Sequence, residues 1–145
     1  MNKLQAIHWF ADTVAKEHVV IMRQRSEWAM YVHRPYPYMS MPKELDYIST
    51  NKWEHEFRKD FCKRYPTAWQ FSDVTLSILH EIGHHFTREV FLETDEEEYE
   101  NARGFDHFKQ PCEIAATDWA IKWLKQKENR KIAKQFEDIF FFERK

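Results

Sequence analysis

Leu4, Ile7, Ala11 and Val14 recur at helical spacing with Phe10 beside them, so the chain opens with a predicted amphipathic helix. From His18 to His33 the pattern changes. Val19, Val20, Ile21 and Met22, then Trp28, Met30 and Val32, are β-formers flanking a polar stretch from Arg23 to Glu27, which predicts a hairpin. Arg34, Pro35, Tyr36 and Pro37 interrupt it, because neither proline carries an N–H to donate to a ladder. Tyr38 to Met41 predicts a short third strand, an edge that a bound peptide could extend.

From Pro42 the pattern turns helical. Trp53, Phe57 and Phe61 fall at i, i+4 and i+8, a one-sided stripe suited to core packing. Pro66 ends that segment. Thr67 with Gln70 matches a capping box, and Ser72 with Asp73 offers a second helix start. The helix that follows is expected to run to about Leu92. Glu93 to Glu100 holds six acidic residues in eight, the composition of a solvated loop or helix end. Pro111 is placed as the first residue of a further helix, with Trp119, Ala120, Trp123 and Leu124 as its packing surface. A last helix carries Ile132, Phe136, Ile139 and Phe140 on one side. The fold class expected is α+β, predominantly helical, with a small antiparallel N-terminal sheet. No repeat or linker divides the chain, so residues 1–145 are expected to form a single domain.

The net charge is only -2 although 32% of residues are charged, so no basic stripe of the kind nucleic acid requires is present. Direct nucleic-acid binding is not expected. Cys62 and Cys112 stand 50 positions apart and make neither a CxxC pair nor a disulfide framework. No apolar run approaches the roughly 18 residues of a membrane helix, and the first residues lack a signal-peptide core. These features together predict a soluble, cytoplasmic protein. Glycine occurs only twice, as Gly83 and Gly104, in keeping with a mostly helical chain.

Against that background one run carries chemistry: His80, Glu81, Ile82, Gly83 and His84. Positions i and i+4 lie one turn apart on the same helix face, so both imidazoles can take corners of a zinc tetrahedron. Glu81, beside them, can reach a water on the metal without ligating the ion and can act as general base. A chance match to this pattern is expected roughly 0.05 times in a chain of this composition. The residues before His80, from Val74 to Leu79, are largely apolar and would bury the helix. Gly83 costs about 1 kcal/mol relative to alanine inside a helix, which suggests close approach of another backbone or room beside a metal.

Catalytic zinc needs a third protein ligand and an open position. The metzincin pattern places a histidine ten residues after His80, where Val90 stands, so that class is excluded. The other common solution is a glutamate from a later helix. Glu113 fits, 29 residues after His84 near the start of a predicted helix, with Ala116 and Ala120 small enough for close packing. His107, Asp106 and Asp118 are competing third ligands. His107 or Tyr99 could instead stabilise a developing oxyanion. His85 points about 100° from His84 and reads as packing or solvated.

With the motif extended to His85, and Glu113 followed by Ala116 and Ala120, the sequence resembles the ImmA/IrrE-type metallopeptidases, gluzincin-like proteins of bacteria, phages and mobile elements. The likeness covers residues 70 to 124 well and the N-terminal part by general layout. It implies a minimal zincin-like fold with an N-terminal helix and small sheet beside a helical core. It also implies zinc held by His80, His84 and Glu113, with Glu81 as the catalytic carboxylate. Characterised members cleave helix-turn-helix transcriptional repressors, so a protein or peptide substrate, such as a repressor acting in trans, is the partner implied. One position departs from the family pattern. The Asn or Asp usual four residues after the ligand glutamate is Thr117 here, with Asp118 next to it. Either Thr117 supplies the supporting hydrogen bond, or Asp118 reaches in through local distortion.

Three rival readings follow from the same residues. A SprT-like zinc hydrolase would use His107 as third ligand. A binding module would keep the site without turnover. A structural zinc domain is disfavoured, because four Cys or His ligands at closed-site spacing are missing.

Overall fold

The structure, a computed structural model, describes residues 1–24, 30–32, 38–42, 52–93, 96–102 and 105–142. Helix α1 (Lys3–Ala15) starts on a capping box in which Asn2 and Gln5 satisfy each other's backbone N–H groups at 2.8 Å. It buries Ala6, Ile7, Phe10, Ala11, Val14 and Ala15. Lys16 in the left-handed conformation (φ 58°) ends it. Asp12 then accepts the Val19 N–H at 2.8 Å and turns the chain toward the sheet.

Strands β1 (Ile21–Gln24), β2 (Met30–Val32) and β3 (Tyr38–Pro42) form one sheet in the order β1-β3-β2. The small antiparallel sheet expected from the sequence is not what forms. β1 runs parallel to β3, with Ile21 opposite Met39, and only β2 is antiparallel to it. Among the described residues the first two strands do not pair as the expected hairpin, and Tyr38–Pro42 is the central strand instead of an edge for a peptide. Burial gives the reason. Successive side chains of a strand point to opposite faces, and Met39, Ser40 and Met41 are all at most 1% exposed. Such a strand is covered on both faces and carries none of the solvated side an exposed edge would show. The predicted turn around Arg25 to Glu27 and the break at Pro35 and Pro37 lie outside the described residues.

The rest is helical: α2 (Lys52–Arg64), a 3-10 turn (Pro66–Gln70), α3 (Asp73–Phe86), α4 (Arg88–Leu92), α5 (Glu96–Asn101), α6 (Phe105–Phe108), α7 (Pro111–Leu124) and α8 (Lys127–Phe142). Phe57 and Phe61 of α2 enter the core as the stripe predicts, while the side chain of Trp53 lies outside those described. The Thr67 capping box does not form. Pro66 starts the 3-10 turn, and Gln70 Nε2 donates to the Thr67 carbonyl. Pro111 takes the first turn of α7 as expected.

Helix α3 is the spine of the fold, buried at every position from Asp73 to His84. Ser72 is its N-cap. Glu137, from α8, accepts both the Ser72 N–H and the Thr75 hydroxyl at 2.6 Å, and Arg58 pairs with Asp73 at 2.9 Å. Two carboxylates thus meet the positive end of the helix dipole. The helix stops earlier than predicted. Thr87 ends it with φ -118° and ψ 23°, while its N–H (3.0 Å) and hydroxyl (2.7 Å) both meet the Gly83 carbonyl. Side chains from α1, α2, α3, α7, α8 and β3 build one buried cluster, with Phe10 stacked on Phe136 at 4.4 Å. No helix among the described residues is long and apolar enough to cross a membrane.

Candidate metal centre

A close approach of α3 and α7 sets the site. α3 and α7 make the most extensive contact between helices among the described elements. A Cβ built on Gly83 would lie 2.3 Å from the Ala116 carbonyl oxygen, so only glycine lets the two backbones come this near. Ala116 and Ala120 are both fully buried at the contact. Glu113 and Thr117 flank Ala116 on α7, and that approach brings them against the imidazoles of α3.

Both imidazoles converge on one carboxylate oxygen. His80 Nε2 is 2.7 Å and His84 Nε2 2.8 Å from Glu113 Oε2, with all three residues at most 4% exposed. The Thr117 hydroxyl lies 2.9 Å from His80 Nδ1. A hydroxyl can accept from Nδ1–H or donate to a bare Nδ1, so it serves either tautomer of His80. Phe57 packs edge-on against the His80 ring at 5.0 Å. The second carboxylate oxygen, Oε1, receives the Tyr99 hydroxyl at 3.0 Å and His107 Nε2 at 2.8 Å.

The electrostatics prepare a donor set. Burial alone would raise the Glu113 carboxyl, but His84 and His80 facing it, with hydrogen bonds from His107 and His80, hold it well below the ordinary carboxylate range. Burial lowers His80, against the pull of Glu113, which favours the neutral imidazole that a metal needs. Tyr99 is pushed up by burial and by the charges of Glu113 and Glu81, so its hydroxyl stays a donor.

His80, Glu81 and His84 each present a ligand atom within 4.8 Å of the others, forming a cluster that can hold a metal ion. Two imidazole nitrogens with carboxylate oxygens beside them also suit a divalent ion chemically. Thr117, not Asp118, supports His80. Asp118 points outward and pairs with Arg64, which also approaches Asp60 at 3.7 Å. Asp106 is exposed on α6. His85 meets Glu17 at 2.8 Å near the end of α1.

The sequence singled out Tyr99 and His107 as candidate oxyanion stabilisers, and His107 also as a rival ligand; it did not foresee that both contact Glu113 Oε1, nor the short helices α5 and α6 that carry them. Comparison of the chain with protein-family profiles, curated proteins and solved structures gives no match. The functional reading therefore rests on the residues themselves.

Proposed function

We propose that this chain is a zinc-dependent peptidase in which His80, His84 and Glu113 are the metal ligands and Glu81 is the general base. The observation that carries the reading is the meeting of two imidazole Nε2 atoms at one buried, ionised carboxylate oxygen. A bound zinc ion supplies Lewis acidity, lowering the pKa of water and polarising the scissile carbonyl. Glu81, adjacent in sequence to His80 and within the same cluster, takes the proton of the attacking water and returns it to the leaving amine. Thr117 orients His80 through Nδ1. Burial of α3 keeps the imidazoles in place before substrate arrives.

The resemblance of His80 to His85 and of Glu113, Ala116 and Ala120 to ImmA/IrrE-type metallopeptidases supports a protein substrate, with a helix-turn-helix repressor supplied in trans as the candidate. The reading is tested by incubating zinc-loaded wild type and Glu81→Gln with a library of quenched fluorescent peptides. The expected result is cleavage by wild type and a loss of about 10²–10⁴-fold in the variant, at equal zinc content. Equal rates in the two proteins would remove Glu81 from the chemistry. Zinc binding with no cleavage by either would favour a binding module.

A further inference from the structure

We propose that Tyr99 and His107 are positioning residues that hold back one oxygen of Glu113, so that the carboxylate offers the imidazole pair a single oxygen, Oε2. The proposal rests on the metal-site reading above and deepens it. The two oxygens of Glu113 have different surroundings. Oε2 faces His80 and His84 at 2.7 and 2.8 Å, whereas Oε1 faces Tyr99 and His107 at 3.0 and 2.8 Å. Two donors on Oε1 match the two lone pairs of a carboxylate oxygen.

The hydrogen-bond pattern behind His107 sets its role as a donor. Gln110 Nε2 lies 3.4 Å from His107 Nδ1 and also donates to the His107 carbonyl at 3.1 Å. An amide N–H directed at Nδ1 makes that nitrogen the acceptor and leaves the ring proton on Nε2, facing Oε1. Gln110 is the N-cap residue of α7, so the same short stretch starts the helix and fixes the ring. Tyr99 comes from α5 and packs 5.3 Å from the His107 ring. The brace therefore comes from elements outside the α3–α7 pair.

The consequence concerns coordination number. A carboxylate can ligate through one oxygen or both, and a catalytic zinc site must keep a position open for water. Turning Oε1 inward would break both of these partly buried contacts at once. With the brace in place, Glu113 takes one position only. Without it, the carboxylate is free to take a second.

The test uses the full chain stripped with chelator and reloaded with cobalt(II), read by visible absorption, alongside zinc affinity measured by competition with a chromophoric chelator. Variants are Tyr99→Phe, His107→Leu, the two combined, and His107→Gln, which retains an N–H. The expected result is a wild-type spectrum of four-coordinate cobalt, with bands that weaken and shift toward five-coordination in the combined variant. Zinc affinity falls by about 10- to 100-fold in that variant, and His107→Gln recovers most of the wild-type spectrum. Tyr99→Phe removes only a hydroxyl and carries the test alone should the combined variant fail to fold. A wild-type cobalt spectrum in the variants would overturn the brace and leave the metal site standing. Loss of all metal in His107→Leu, with metal kept in Glu113→Ala, would make His107 a ligand and overturn it as well. No cobalt uptake by wild type would overturn the metal reading and this proposal with it.

Discussion

Substituting Gly83 by alanine tests how tightly helix contact and metal site are joined. The new Cβ would lie 2.3 Å from the Ala116 carbonyl oxygen, 3.0 Å from its carbon and 3.1 Å from its Cα. These are backbone atoms, so no rotamer change relieves the clash. Reaching an ordinary contact of 3.4 Å requires a separation of roughly 1 Å between the backbones, a scale at which active-site misplacement alone can cost about 10²-fold in rate. Glu113 and Thr117 ride on the same stretch of α7. A shift of roughly 1 Å would carry their bonds to His80 and His84, now 2.7 to 2.9 Å, past hydrogen-bond range. Alanine gains about 1 kcal/mol in helix propensity, and overpacking costs about 1–3 kcal/mol, so net destabilisation of up to about 2 kcal/mol is expected. Urea unfolding measures the first effect. Zinc competition measures the second, with an expected loss of at least about 10-fold. A variant that is more stable by about 1 kcal/mol and binds zinc as wild type does would refute the close-contact account.

Thr117→Val keeps the shape of the side chain and deletes the partner of His80 Nδ1, so zinc affinity should fall by about 10- to 100-fold; unchanged affinity would show that Thr117 orients nothing. Asp118→Ala removes an ion pair whose carboxylate is 65% exposed, costing at most about 1 kcal/mol in urea unfolding and leaving zinc content intact; a loss of zinc would contradict its placement outside the site. Glu137→Gln weakens two charge-assisted bonds to the start of α3 and is expected to lower stability by about 1–3 kcal/mol, with an unchanged unfolding midpoint counting against that tie. Chelator-treated protein should also lose stability on acidification. The folded pKa of Glu113 lies below 4.5, so its contribution is complete above that pH and is lost as pH falls through the lowered value. His80, held below 6.5, refuses a proton that the unfolded chain accepts, so stability declines as pH drops beneath 6.5. Both act in one direction, and a urea midpoint that rises from about pH 7 to about pH 5 would contradict it.

The part of the site within one helix was legible because i, i+4 spacing is a property of the helix itself. His80 and His84 share a face whatever surrounds them. Glu113 and Thr117 could be paired with them because they too are one turn apart, near the start of a helix marked by Pro111. Whether Thr117 or Asp118 turned inward depended on what Asp118 met elsewhere, and Arg64 on α2 is 54 positions away. Sheet order was hidden for a related reason. β-formers mark a strand but not its neighbours, so the parallel pairing of β1 with β3 could not be read from them. The stop at Thr87 was hidden because threonine is tolerated within helices; its backbone leaves the helical region there, at φ -118° and ψ 23°. Tyr99 was named as a candidate, but its contact with Glu113 was not legible because its acidic neighbours read as solvent-facing.

The central claim is that two imidazoles and one carboxylate from separate helices share an ion. It is tested most directly by zinc content after chelator stripping and reloading at saturating metal, in wild type, His80→Ala, Glu113→Ala and His107→Ala. The expected result is about one zinc per chain in wild type and His107→Ala, and little in the other two. Full zinc in Glu113→Ala, or none in wild type, would contradict the claim.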